Sequence, residues 1–300
     1  MKTIILIDGS NLAYRLWHQP QLQKLIRKDG KKSGVFYGFL INLQKLLIKF
    51  QPHDYIVVFD SITSSAERKL KNPNYKSNRP KSKGKKALFR QIRDVQTCLI
   101  AIGAKVAMPV DVEADDLLFH LANEIRIDNE IQGNQIQAII VSADHDLFQS
   151  IGSSVRVYDD QRNKMWSDLE VKERYGILPN QITLYKSLVG DKSDNIKGVI
   201  GIGPQAALTL IKRYKTYAKA RNNLTKKQRK MFDLAYNVVS VRLNAKIALD
   251  VIKLLRMYTE VDYKLAKQLL KEYSCTSILV KFKSWVKQFK GRGNNETEKS

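Results

Sequence analysis

Over the first 160 residues, short β-branched apolar runs alternate with longer stretches in which apolar residues recur every three or four positions. The runs Thr3–Ile7, Ile56–Phe59, Lys105–Ala107, Ile136–Val141 and Val155–Tyr158 have the length and residue types of buried strands. Between them, Val35–Phe50, Ala87–Ile102 and Ala114–Ile127 follow a helical period, and a short helix is expected after Asp144. This alternation predicts an α/β fold with a mostly parallel central sheet and flanking helices. Beyond about Gln181 no strand is expected, and helices joined by polar or Gly-rich turns take over. The division this implies is an α/β domain over 1–180, a helical region over 181–290 and a disordered polar tail over 291–300.

In open α/β sheets the site lies beyond the carboxyl ends of the strands, and the acids of this chain fall there. Asp8 ends the first run, Asp60 follows the second, and Asp144 and Asp146 follow the fourth; Glu113, Asp115 and Asp116 open the helix after the third. Asp191 and Asp194 lie further along, in a turn. Asp144 and Asp146 are two apart and point the same way in an extended turn, whereas Glu113 and Asp116, three apart, share a helix face. Each group taken singly reads as ordinary capping or turn acids. Nine acids converging on one place would instead raise one another's pKa unless cations lay among them. Carboxylates and water suit Mg²⁺ or Mn²⁺, and two such ions roughly 4 Å apart activate a water and stabilise a leaving oxygen.

Charge sharpens this picture. The chain of 300 residues carries 52 Lys and Arg against 29 Asp and Glu, a net +23, which points to a polyanionic partner such as nucleic acid. Residues 1–100 and 201–300 are +14 and +15, while 101–200 are −6, so the acids are concentrated inside a basic chain. Cys98 and Cys275 are the only cysteines and lack metal-ligand spacing, and the four histidines show no pairing, which excludes a disulfide framework and a structural zinc site. The apolar start is too short for a signal or a transmembrane span. A cytoplasmic setting, no membrane partner and a monomeric state are therefore expected.

Two basic elements stand out. From Arg68 to Arg93 there are 11 Lys or Arg and no acid, with Tyr75 among them. Such a run suits a flexible clamp that offers phosphate contacts and an aromatic for stacking. The second element is Gly198 to Pro204, followed by a helical stretch to Tyr214. Its glycines allow backbone N–H groups to approach a phosphate, as in a helix-hairpin-helix that holds duplex backbone without reading sequence.

In order and spacing, IDGSNLAYR, VVFD, NPNYKSNRP, VEADDLL, SADHDLFQ and GDKSDNIKGVIGIGPQAA resemble the phage and bacterial 5′ nucleases. That family includes the nuclease domain of bacterial DNA polymerase I and, more distantly, the flap endonucleases. The resemblance covers about residues 3–215. It implies a PIN-like domain with a helical arch over 68–93 and a helix-three-turn-helix over 183–215. It also implies one metal region from Asp8, Asp60, Glu113, Asp115 and Asp116, and a second from Asp144, Asp146, Asp191 and Asp194. Lys76 and Arg79 match the family's active-site cations, and Tyr75 would stack on a base. Arg15, Lys186, Gly201, Gly203 and Lys212 are the further nucleic-acid contacts. His145 and Gln205 replace cations that many members carry.

The implied activity is structure-selective 5′-3′ exonuclease and flap endonuclease hydrolysis with two or more Mg²⁺, Mn²⁺ substituting, and K⁺ at the hairpin as in some members. The implied partners are DNA with 5′ flaps or ends, or an RNA–DNA hybrid, in a bacterial or phage-infected cell. With no polymerase domain after residue 300, a stand-alone enzyme is expected. A PIN-type ribonuclease shares the acids but normally lacks the hairpin and arch, and a non-catalytic branched-DNA-binding protein would be expected to lose some of the acids.

Overall fold

The computed structural model describes residues 2–61, 63–78, 84–241 and 260–290. Arg79 and the tail 291–300 lie outside the described residues. The central strand is β1 (Lys2–Asp8), flanked by β2 (Asp54–Val58) and β4 (Ile136–Val141). Together with β3 (Val106–Ala107), β5 (Val155–Asp159) and β6 (Lys164–Trp166) they form a six-stranded sheet of order β3-β2-β1-β4-β5-β6. All pairings are parallel except β5 with β6. The chain runs outward in one direction from β1 through β2 and β3, and in the other through β4 and β5. The carboxyl ends of β1 and β4 therefore flank the switch point where such sheets bind ligands.

Both faces of the sheet are covered, which is why its strands read as near-continuous apolar runs. On β1, Ile5 and Ile7 belong to one core and Leu6 to the other, as the two-residue strand period requires. The first face carries α1 (Gly9–Trp17), α3 (Gly34–Phe50) and α5 (Lys85–Ala101), with the short α2 (Pro20–Gln23) beside them. The opposite face carries α6 (Ala114–Gln132), α7 (Asp168–Tyr175), α8 (Ile182–Val189), α9 (Pro204–Tyr214), α10 (Tyr217–Asn222) and α11 (Lys226–Val239). The short α4 (Ala66–Lys71) contacts α11. No helix of the described residues is long and apolar enough to cross a membrane.

The structure departs from the sequence reading in several places. The stretch after Asp8, for which no helix was predicted, is α1, with Asp8 as its N-cap accepting from the Asn11 amide at 2.9 Å. The edge strand β6 is too short to show a period. Beyond Gln181, where no strand was expected, β7 (Gly190–Asp191) pairs with β8 (Ile196–Lys197) in a two-residue hairpin. The last helices, α12 (Tyr263–Glu272), α13 (Thr276–Val280) and α14 (Phe282–Lys287), pack on the first face of the sheet. Phe36 stacks on Tyr273 at 4.0 Å, and the Tyr55 hydroxyl donates to the Phe289 carbonyl at 2.8 Å.

Candidate metal centre and nucleic-acid interface

The acids at the carboxyl end of the sheet are held by local backbone. Asp8 spends one carboxylate oxygen on capping α1 and accepts from the Ser142 hydroxyl, 2.9 Å away at the end of β4, with the other. Asp60 accepts from the Ala114 amide at 2.9 Å and gives its own amide to the Ser10 hydroxyl, which ties β2 to α6 and α1. Glu113 is the N-cap residue of α6 yet makes no side-chain cap bond; its carboxylate turns inward instead. Asp144 accepts from the Asp146 amide at 2.9 Å. Asp191 uses one oxygen to close its turn on Ser193 and the other for Lys186 at 2.7 Å.

The two expected acid groups adjoin. The buried Tyr75 hydroxyl lies 2.8 Å from Glu113 of the first and 3.1 Å from Asp194 of the second. Asp144 lies close enough to Asp115 and Asp194 to feel their charge. Among the described residues three cations run between the carboxylates. Arg68 pairs with Glu113, with Asp115 at 3.4 Å and with Asp116 at 2.7 Å; Lys76 reaches Glu113 at 2.6 Å; Lys186 joins Asp146 to Asp191.

Among the described residues nine carboxylates stand against three cations, and with Asp8, Glu113 and Asp116 buried the titration behaviour follows. Burial, with Asp60 and Asp144 nearby, pushes Asp8 up to about 8. Burial and Asp115 push up both Glu113 and Asp116, the latter to about 7. Asp144 rises to about 6 through burial and Asp115. Burial alone would raise Asp115, but Arg68 and Lys76 outweigh it and hold it low. Asp191, likewise opposed by its burial, is brought down to about 2 by Lys186. Among the described residues no three carboxylates are arranged as ligands of a single ion, since Arg68, Lys76 and Lys186 stand among them. Hard oxygen donors in excess of their counter-charges nevertheless fit divalent cations of the Mg²⁺ type.

Two expectations are corrected. Tyr75, expected to stack on a base, is only 2% exposed and its hydroxyl is engaged by carboxylates, so its ring is not presented to a strand. The basic run is likewise not uniformly a solvated clamp, because Arg68, its first residue, is buried among acids. Arg68 is the functional residue that the sequence concealed: in a run of cations nothing distinguished the one that turns inward. His145 stacks on Phe148 at 4.6 Å and bonds the Tyr175 hydroxyl at 2.6 Å, beside the acids rather than among them. Arg15 pairs with Asp160 at 2.5 Å. Gly201 has a left-handed φ of 82°, exposed Gly203 precedes Pro204 at the start of α9, and Lys212 is exposed in its last turn. Gln205, in the first turn of α9, is also exposed.

Comparison with known proteins identifies the family and the fold. The profile of a 5′-3′ exonuclease N-terminal resolvase-like domain matches residues 3–176, and that of a 5′-3′ exonuclease C-terminal SAM fold matches residues 177–271. A 5′-3′ exonuclease of Buchnera aphidicola subsp. Schizaphis graminum is 33% identical over 246 residues, 82% of each chain. A DNA polymerase I of Treponema pallidum is 33% identical over 213 residues, 70% of this chain; the match takes in only 20% of that relative's length. A flap endonuclease of bacteriophage T5, solved in a pseudo-enzyme–product complex with DNA and metal ions, shares the fold at a TM-score of 0.65 and 19% identity, over 91% of this chain and all of the other. With its mostly parallel sheet, its acids gathered at the sheet's carboxyl end and these matches along its length, the chain belongs to the 5′-3′ exonuclease family.

Proposed function

We propose that this chain is a structure-selective 5′-3′ exonuclease and flap endonuclease that hydrolyses phosphodiester bonds of DNA carrying 5′ flaps or ends, in replication or repair. Mg²⁺ is the proposed cofactor, with Mn²⁺ able to substitute, and the protein acts as a cytoplasmic monomer. In this reading residues 1–180 carry the chemistry and 181–290 hold the duplex. The observation that carries it is the surplus of carboxylates over cations among the described residues around Asp8, Glu113 and Asp144, in a chain whose segment 68–93 is strongly basic.

Divalent ions bound by such carboxylates lower the pKa of a water and neutralise a leaving oxygen. Asp8, Asp60, Glu113, Asp115 and Asp116 would hold one, and Asp144, Asp146, Asp191 and Asp194 another. The chain's own cations do the remaining work. Lys76, poised on Glu113, would move to the scissile phosphate, orient it and offset the charge that builds on its oxygens. Arg79, three residues on, would share that task. Lys186 would keep Asp191 ionised and align Asp146 beside it, as its pairing with both supports.

The test is cleavage of a 5′-labelled flap substrate in Mg²⁺. Cutting near the junction is expected, abolished by EDTA and by Asp144→Asn, with DNA binding retained in that variant. Wild-type rates from Asp144→Asn would overturn the two-ion assignment.

A further inference from the structure

Gln228 joins two parts of the surface that the sequence keeps 28 residues apart. Its side-chain carbonyl accepts from the Thr225 amide at 3.1 Å, closing the capping box of α11, while its side-chain amide donates to the Ile200 carbonyl at 3.2 Å. The N-terminus of α11 is thereby fastened to the glycine turn that leads into α9. Gly201, the next residue of that turn, faces the same amide, since a Cβ built there would lie 4.0 Å from it.

The surface so joined is cationic throughout. Residues 212–230 contain nine Lys or Arg and no acid. Arg221 is used internally, on Asp233, and Arg229 on the Leu224 and Asn222 carbonyls. Lys226, Lys227 and Lys230 are exposed in the first turns of α11, the end that Gln228 fastens to the glycine turn, and Lys212, Lys215 and Lys219 are exposed in and after α9. The aromatic residues of this region are half-buried or buried: Tyr214 and Tyr217 pack against the second core, Tyr217 stacks on Phe232 at 5.0 Å and bonds Asp233, and Tyr236 packs on Tyr217 at 4.1 Å. A surface for single strands needs exposed rings on which bases stack. This one offers cations on a rigid support, which suits the phosphate backbone of a duplex.

We infer that the glycine turn and the N-terminal end of α11 form one duplex-binding surface, with Lys226, Lys227 and Lys230 as phosphate contacts and Gln228 as the residue that positions them against the turn. This rests on the nuclease reading above and extends its duplex grip from the hairpin onto α11.

The experiment measures affinity by fluorescence anisotropy in EDTA, so it does not depend on cleavage. The probes are a blunt duplex and a single-stranded oligonucleotide of the same length, each titrated over a range of salt. Replacing Lys226, Lys227 and Lys230 by Ala should weaken duplex binding about tenfold at about 0.1 M salt and flatten the log-log salt slope by about 0.9 for each phosphate left without its lysine. Single-strand affinity should change less than about twofold. Gln228→Ala should weaken duplex binding by about 2- to 12-fold, the range for one net hydrogen bond, with the salt slope unchanged because no charge is removed. Equal losses on both probes, or an unchanged duplex affinity and slope in the lysine variant, would overturn the surface. Unchanged affinity in Gln228→Ala would overturn its positioning role. If the wild-type chain failed to cut a flap in Mg²⁺ the nuclease reading would fall, yet the anisotropy result would still decide this one. Melting temperatures of both variants confirm that the losses are not unfolding.

Discussion

Taking away Arg68 would leave Glu113, Asp115 and Asp116 facing one another with no counter-charge from α4. Removing one partner of a buried ion pair typically costs about 3–5 kcal/mol, and here Asp115 and Asp116 lose their ion-pair partner while Glu113 keeps only Lys76. Arg68→Met should therefore lower stability in EDTA by about that amount in urea unfolding, and Mg²⁺ should restore part of the loss. A variant as stable as wild type in EDTA would refute the role given to Arg68. Tyr75→Phe removes the hydroxyl that lies between Glu113 and Asp194 and should cost about 1–3 kcal/mol. Lys76→Ala should slow single-turnover cleavage far more than it weakens binding, and equal losses in both would make it merely a docking residue. At this scale the acids were legible because each sits at a strand end, a helix start or a turn. Which cations turn inward was not, because Arg68 and Lys71 carry the same charge in the same run, and only the packing of α4 separates them.

At the scale of elements, the hairpin β7–β8 shows what a short sequence pattern hides. Gly190 has φ of +89°, and a Cβ there would come within 2.5 Å of the Gly198 amide nitrogen; one on Gly198 would lie 2.3 Å from the Val189 carbonyl carbon. The two glycines let the strands approach closely, and this fixes the turn that carries Asp191 and Asp194. Gly198→Ala should cost about 1–3 kcal/mol or more by overpacking and slow cleavage by displacing those acids. Unchanged melting temperature and rate would show that the approach is relaxed easily. The long periodic elements α3, α5 and α6 were legible to within a few residues. The two-residue strands were not, since alternation needs four or more residues to be seen.

For the whole molecule, the acid cluster sets the response to pH. Asp8, Asp116 and Asp144 have folded-state pKa values raised above the ordinary 3.8. Between 3.8 and those values the unfolded chain has released protons that the folded chain retains, so stability falls as pH rises through this window. Without divalent ions, melting temperature should decline from about pH 4 to about pH 8. Asp191, lowered to about 2, works the other way, adding stability above 3.8 that is lost as pH falls through about 2. Mg²⁺ should flatten the decline, because bound cations favour the ionised acids; a metal-free profile that is flat or rising over pH 4–8 would contradict the buried surplus. The C-terminal helices α12–α14 share the first core with α3 and α5, so deletion from residue 263 onward should destabilise the sheet domain itself, measurable as a lower melting temperature of the remaining fold.

The sequence alone determined the α/β alternation and the placing of acids beyond the strands, because strand period, helix period and strand-end position are local properties of the chain. It also determined the basic ends that favour a polyanion, since net charge is a sum over residues. Tertiary structure decided which residues meet. It brought Glu113 and Asp194 to one tyrosine, turned Arg68 inward, buried Tyr75, and docked the last helices on the first hundred residues. Those outcomes depend on packing between elements distant in sequence, and no local pattern encodes them.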